Sequence, residues 1–242
     1  IAKKYNITPG GDTDCAQANT AMFLAGGLLA KNVSHTVASI ARAIAGARSL
    51  VAIECGATGP TKDCGYENPI VKAIASVPIC AEGKNATCAH ADLMGNLTAG
   101  VCDVWSNESV YNREEMGGPT PGVWLQSLGY ECALMNTAKQ IGTAKALRDS
   151  YVLADKYRDP QGVILAYDNA YRIGEAIVAD GEDNYLRARN AAMKAMDCIN
   201  EAVEAKRIYL TRFERDTLDA TYKTYEQLPD DSDKFLKTCI KR

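Results

Sequence analysis

Residues 49–69, SLVAIECGATGPTKDCGYENP, join a short apolar run to a turn rich in glycine and proline that contains one cysteine, Cys64. The run LVAIEC, residues 50–55, has the composition of a strand buried in a parallel sheet. Asn68 and Pro69 carry the N-cap and first-turn signature of a helix. The stretch therefore predicts a strand, a loop and a helix in an α/β protein, with a thiol in the loop.

Two further apolar runs extend this pattern, VPIC at residues 77–80 and VCDVW at residues 101–105. The three runs start 27 and 24 residues apart, close to the roughly 30 residues of a βα unit. Ser34 is a typical N-cap before HTVASIARAIAGA. Only about the first 115 residues alternate in this way, whereas a (β/α)₈ barrel takes about 250 residues. We therefore expect the numbering to begin inside a larger domain.

From about residue 120 the sequence is typical of successive helices. Thr120-Pro121 and Asp159-Pro160 open two of them, and the later segments are residues 183–208 and 212–228. The apolar positions of the third segment are spaced for one helix face: Ala192, Met196, Ile199 and Val203. No strand is predicted after Trp105. We expect a division into residues 1–118, with βα units, and residues 119–242, with helices only.

Charge and hydropathy exclude some classes of partner. The net charge is −3 with a pI near 5.5, and no lysine or arginine cluster suggests nucleic acid or an anionic membrane as a partner. The longest uncharged apolar run, TAMFLAGGLLA, is shorter than the about 20 residues that span a bilayer, and no leader opens the chain. The sequence predicts a cytoplasmic protein.

The nine cysteines favour reduced thiols, because their number is odd and no CxxC pair is present. Four Asn-X-Ser/Thr sequons point towards an oxidising compartment instead, but they carry little weight without a leader. Most of the cysteines lie in apolar patterns, which predicts small buried hydrophobic side chains. These are Cys55, Cys80, Cys102, Cys132 and Cys198.

Two further cysteines differ from these five in their sequence context, because each follows a glycine-rich loop and precedes a predicted helix. Cys15 ends GGDTDC, and Cys64 ends GATGPTKDC. Loops after strand ends form the sites of parallel α/β proteins, and a nearby helix N-terminus favours thiolate. Both thiols are candidates for a nucleophile or a metal ligand, although spacing alone leaves a place in the core equally open.

A nucleophilic cysteine needs a base, and the chain has two histidines. His35 is predicted in the first turn of a helix, so His90 is the better candidate, and Cys88-x-His90 is a weak metal-binding pair. The glycine-rich loops lack the Gly-Lys-Ser/Thr ending of a phosphate loop. Their backbone amides can still hold an anion, which leaves a lyase or aldolase open as an alternative.

Residues 10–30, GGDTDCAQANTAMFLAGGLLA, and residues 54–84, ECGATGPTKDCGYENPIVKAIASVPICAEGK, resemble a known family. It is the zinc-containing subunit of methanol:cobalamin methyltransferases, and the chain is similar to roughly the C-terminal half of that protein. The resemblance implies a TIM barrel with zinc held by two cysteines and a glutamate. The cysteine motifs fall on Cys15 and Cys64, and the glutamate falls upstream of Ile1, so this chain is expected to supply two ligands of three.

The resemblance also implies a reaction and a partner. Zinc would act as a Lewis acid on the oxygen of methanol, and Co(I) of a corrinoid on a separate protein would take the methyl group. The Asp-x-His-x-x-Gly motif of corrinoid-binding proteins is absent, as expected if the partner carries the cofactor. The helical region would pack on the barrel and form contacts within a homo-oligomer or with the corrinoid protein.

Two alternatives remain beside this one, a TIM-barrel lyase or aldolase acting on an anionic substrate and a non-catalytic helical fragment that binds a partner. The polar residues nearest the two cysteines are expected to lie on the solvated surface rather than to orient ligands. They are Asp12, Asp14, Lys62, Asp63 and Glu67.

Overall fold

A computed structural model gives the architecture. It describes residues 1–7, 21, 25, 33–57, 61–62, 67–77, 79–81, 84, 93–101, 103–104 and 121–240. After a 3₁₀ turn at Ala2–Tyr5, the elements follow in this order: α1 (His35–Glu54), β1 (Thr61–Lys62), α2 (Asn68–Ala75), β2 (Ile79–Ala81), α3 (Gly95–Val101), β3 (Asp103–Val104), α4 (Pro121–Gln140), α5 (Ala144–Asp155), α6 (Pro160–Leu165), α7 (Tyr167–Val178), α8 (Asn184–Glu204), α9 (Arg212–Glu226) and α10 (Ser232–Ile240).

Helix α1 both confirms and corrects the sequence analysis. Ser34 is its N-cap, with the Oγ accepting a hydrogen bond of 3.1 Å from the Val37 N–H. The strand predicted over residues 50–55 is wrong, because Leu50–Glu54 form the last turn of this 20-residue helix. A short apolar run fits a buried helix as well as a strand, and here the capped helix continues through it.

The three short strands form a parallel sheet in the order β1–β2–β3. Thr61 pairs with Ile79, and Cys80 pairs with Asp103. The parallel βα pattern is therefore confirmed for the second and third runs, while the first strand lies at Thr61–Lys62, after the predicted one. Helix α2 begins at Asn68, so its N-cap is Glu67, one residue before the predicted cap.

The helix-rich second half is confirmed and shares one core with the first half. Helix α8 packs against α1, α7 packs on α2, and α5 packs on α3. Ala192, Met196 and Ile199 of α8 are fully buried in this core, as their spacing predicts. The segment that starts at Pro160 is two helices, separated at Ala166. Within the described residues, no strand follows Val104.

Helix α1 is also the one described helix that is long and apolar enough to cross a membrane by length and composition alone. It lies near the N-terminus, where a signal sequence passes the same test. Within the structure, 56% of its most apolar window is buried, and it packs against α8, α6 and α2. This packing is that of a core helix, and its length and hydropathy are weak evidence for a membrane span.

A carboxylate from distant sequence completes the N-terminus of α1. Glu214 Oε1 accepts a hydrogen bond of 2.7 Å from the His35 N–H, and Oε2 accepts bonds from the Thr36 N–H at 2.9 Å and the Thr36 hydroxyl at 2.7 Å. A negative charge at a helix N-terminus binds free N–H groups and the positive end of the helix dipole. Through these hydrogen bonds Glu214 connects α9 to the start of α1.

Replacing Glu214 with alanine is expected to lower the free energy of unfolding by about 2 kcal/mol, because charged hydrogen bonds to the first N–H groups of α1 are lost. Urea unfolding measures the change. Glu226→Ala, an exposed glutamate at the end of the same helix, is the control and should change stability by less than about 0.5 kcal/mol. Equal losses in the two variants would contradict the capping role.

Candidate metal site and its surroundings

The sheet sets the edge at which the candidate site is expected. The three strands are parallel, so their carboxyl ends, at Lys62, Ala81 and Val104, lie on the same side of the sheet. Cys64 follows the end of β1 by two residues in the sequence. Parallel α/β proteins place their sites in the loops that follow this edge. Cys15 and Cys64 lie outside the described residues, as do Cys88 and His90.

Glu67, three residues after Cys64, is the next described residue, and its side chain is fully buried. Ser49 of α1, itself 4% exposed, donates its hydroxyl hydrogen to Glu67 Oε1 at 2.6 Å. The Glu67 carbonyl accepts a 3.0 Å bond from the Ile70 N–H. The prediction that Glu67 lies on the solvated surface is therefore wrong. No local sequence pattern indicated the burial of Glu67, because its hydrogen-bond partner Ser49 is 18 residues away in the sequence.

Helix α1 and the start of α2 are in close contact beside this hydrogen bond. Gly46 of α1 faces Ile70 of α2, and a Cβ added at Gly46 would lie 3.1 Å from Ile70 Cγ2. That distance is shorter than ordinary van der Waals contact, so glycine is what allows the two helices to approach. The side chains of Ser49 and Glu67 are thus held by two helices that pack against each other.

The cysteines with described side chains divide by exposure. Cys198 is buried as predicted, and burial raises the pKa of its thiol to about 11. Cys132 is half-buried, and burial followed by the charge of Glu131 raises its pKa. The prediction for Cys55 is wrong, because it follows the last turn of α1 and is exposed, like Cys239. Raised pKa values disfavour the thiolate that metals and electrophiles require.

No group of three or more His, Cys, Asp or Glu side chains in the described ranges is placed to hold a metal ion. His35 is in the first turn of α1 as predicted, and its backbone N–H is bound to Glu214.

The structure also contains a cavity of about 780 Å³ at the N-termini of α1 and α6. Its walls are mostly apolar and include Leu93, Pro160 and Leu210, together with His35. Along α1, 14 residues separate His35 from Ser49, which is about 21 Å at 1.5 Å per residue. This cavity is therefore well separated from the stretch around Glu67.

Comparisons with known proteins agree with one another. The family model described as "Methanol-cobalamin methyltransferase B subunit" matches residues 1–242. A methanol–corrinoid protein co-methyltransferase of Methanosarcina barkeri (strain Fusaro / DSM 804) is 57% identical over 240 residues, which are 99% of this chain and 52% of the relative. A chain in the crystal structure of the methanol:cobalamin methyltransferase complex MtaBC from Methanosarcina barkeri matches with a TM-score of 0.88 and 56% identity, over 99% of this chain and 52% of that one. The chain spans about half the length of the relatives it matches.

Proposed function

The chain belongs to the methanol-cobalamin methyltransferase B subunit family, and from this membership we propose that it takes part in transferring the methyl group of methanol to the Co(I) corrinoid of a partner protein. The observation that carries the proposal is the family match over residues 1–242, together with 57% identity to a methanol–corrinoid protein co-methyltransferase. Family membership favours this function over the lyase and the non-catalytic fragment.

We propose Cys15 and Cys64 as zinc ligands, with a third ligand, a glutamate, from outside residues 1–242. Two thiolates are a donor set that zinc accepts readily. Zinc bound there would supply a Lewis acid for the oxygen of methanol. The position of Cys64 after β1 supports the assignment, and so does the lack of a competing group of ligands among the described residues.

Other parts of the chain would set the charge state and the separation of the two cysteine sulfurs. Both cysteines must be thiolates in order to bind a metal. Helix α2 starts four residues after Cys64, and the positive end of a helix dipole favours the charged form of a nearby thiol. The loops after the strands must also hold the two sulfurs at a fixed separation, since metal affinity depends on it.

We further propose that residues 1–118 form the C-terminal βα units of a TIM barrel and that residues 119–242 form a helical region packed on them. Three parallel strands alternating with helices and the TM-score of 0.88 support this arrangement. The helical region is proposed to contribute contacts within a homo-oligomer or with the corrinoid protein. The solved relative comes from a complex, and this sequence has no Asp-x-His-x-x-Gly motif, which supports a corrinoid carried by the partner.

The test is methylation of a reduced corrinoid protein by methanol, followed through the loss of Co(I) absorbance. We expect a loss that depends on methanol, stops when a chelator removes the metal and returns when zinc is added. Methanol with heat-denatured protein is the control. Methyl transfer unaffected by metal removal would contradict the zinc assignment, and no transfer by the zinc-loaded protein would contradict the proposed reaction.

A further inference from the structure

The contact between Ser49 and Glu67 is the closest described side-chain contact to Cys64 along the chain. Glu67 has no exposed surface and receives the Ser49 hydroxyl hydrogen at 2.6 Å. It is also the residue from which α2 starts, since its carbonyl accepts the Ile70 N–H. This hydrogen bond thus connects the next-to-last turn of α1 to the residue from which α2 starts.

A buried glutamate side chain needs hydrogen-bond partners, because removing its polar atoms from water costs free energy that the partners have to offset. Helix α2 does not need this carboxylate as a cap, since the Glu67 side chain makes no capping hydrogen bond to it. The hydrogen bond from the Ser49 hydroxyl ties it to α1 instead. The hydrogen bond between Ser49 and Glu67 therefore fixes the position of Glu67 relative to α1.

Cys64 lies between two residues, Lys62 and Glu67, that are each held by a contact with a neighbouring element. Lys62 belongs to β1, where it pairs with Cys80 of β2. Five residues later, Glu67 is tied to Ser49 on α1, and α1 packs directly on α2 through Gly46 and Ile70. Fixing the ends of so short a segment strongly limits where its middle residues lie.

We propose that Ser49 and Glu67 are positioning residues that hold the loop of Cys64 in the geometry needed to bind the metal. The inference rests on the proposed function, because it takes Cys64 to be a zinc ligand. Residues that orient metal ligands without touching the metal typically contribute 10-fold to 100-fold in affinity. The contact would therefore act on zinc affinity in addition to its contribution to the stability of the fold.

The experiment compares Ser49→Ala with Ser39→Ala. Both serines are buried on α1, but the Ser39 hydroxyl donates to the His35 carbonyl of its own helix at 2.6 Å. Each variant removes one buried hydroxyl from the same helix, and Ser49→Ala should lose more stability because it also removes a hydrogen-bond donor from the buried Glu67 side chain. We expect Ser49→Ala to weaken zinc binding about 10-fold in competition with a chelator, while Ser39→Ala binds zinc like the wild type.

Two further measurements separate positioning from general damage. With cobalt(II) in place of zinc, the thiolate-to-cobalt absorption should change in Ser49→Ala and not in Ser39→Ala. The double variant Ser49→Ala/Glu67→Ala should bind zinc as weakly as Glu67→Ala alone, because both substitutions remove one contact. Wild-type affinity and spectrum in Ser49→Ala, or equal changes in both serine variants, would overturn the inference. A wild-type protein whose zinc binding does not depend on Cys64 would instead overturn the proposed function.

Discussion

Replacing Cys64 with serine is expected to abolish stoichiometric zinc binding. A serine hydroxyl stays protonated near neutral pH and is a poor replacement for a thiolate ligand. Residues that only orient ligands contribute up to about 100-fold in affinity, so the loss of a direct ligand should exceed about 100-fold. Elemental analysis of the purified protein, including the proposed glutamate ligand from outside residues 1–242, measures the change, from about one zinc per chain expected for a single mononuclear site to background. Cys15→Ser should behave in the same way.

The matched control is Cys55→Ser, because Cys55 is an exposed cysteine nine residues before Cys64, at the end of α1. It should keep its zinc. Circular dichroism of each variant verifies that the helices are intact. Equal zinc content in the Cys64 and Cys55 variants would show that Cys64 is not a ligand. Loss of zinc in both variants with intact helices would assign metal binding to the whole turn and not to Cys64 alone.

The sequence predicted the helices well, because they have strong local signals. Ser34 caps α1, and Asp159 caps α6 with its side chain accepting from the Gly162 N–H, as expected of these residue types. The first strand was predicted in the wrong place. LVAIEC is apolar because it belongs to a buried helix, whereas β1 is the pair Thr61–Lys62, whose residues give no apolar run.

The candidate site, like the fold, was predicted from the sequence only in part. A glycine-rich loop with a cysteine before a helix is a local pattern, and it identified Cys15 and Cys64 as candidates. Glu67 gave no such signal, since a glutamate near a turn is usually solvated, and its burial depends on Ser49 in another helix. Cys55 shows the opposite error, because an apolar neighbourhood in sequence predicted burial for a residue that lies just beyond a helix end.

The contact between α5 and α6 gives the second large expected effect. At Gly162, near the start of α6, an added Cβ would lie 2.4 Å from the Asp155 carbonyl oxygen and 3.3 Å from the Lys156 carbonyl oxygen. These are backbone atoms, which do not move aside as a flexible side chain does. The Asp155 carbonyl already accepts a 2.9 Å bond from the Arg158 N–H, and the Asp155 carboxylate accepts one from the Leu97 N–H. Any relief of the clash would therefore disturb the end of α5 and its contact with α3.

Replacing Gly162 with alanine is accordingly expected to destabilise the protein by about 3 kcal/mol, at the upper end of the usual cost of overpacking. The melting temperature should fall by about 6–12 °C for a chain of this length. Gly129→Ala is the matched control, because Gly129 is an exposed glycine of α4 with nothing within 4 Å of an added Cβ. There the loss of glycine flexibility should raise stability by about 0.5–1 kcal/mol. The two substitutions add the same methyl group to a helix, so changes of opposite sign would assign the effect to the Asp155 carbonyl, and similar melting temperatures would refute the close contact.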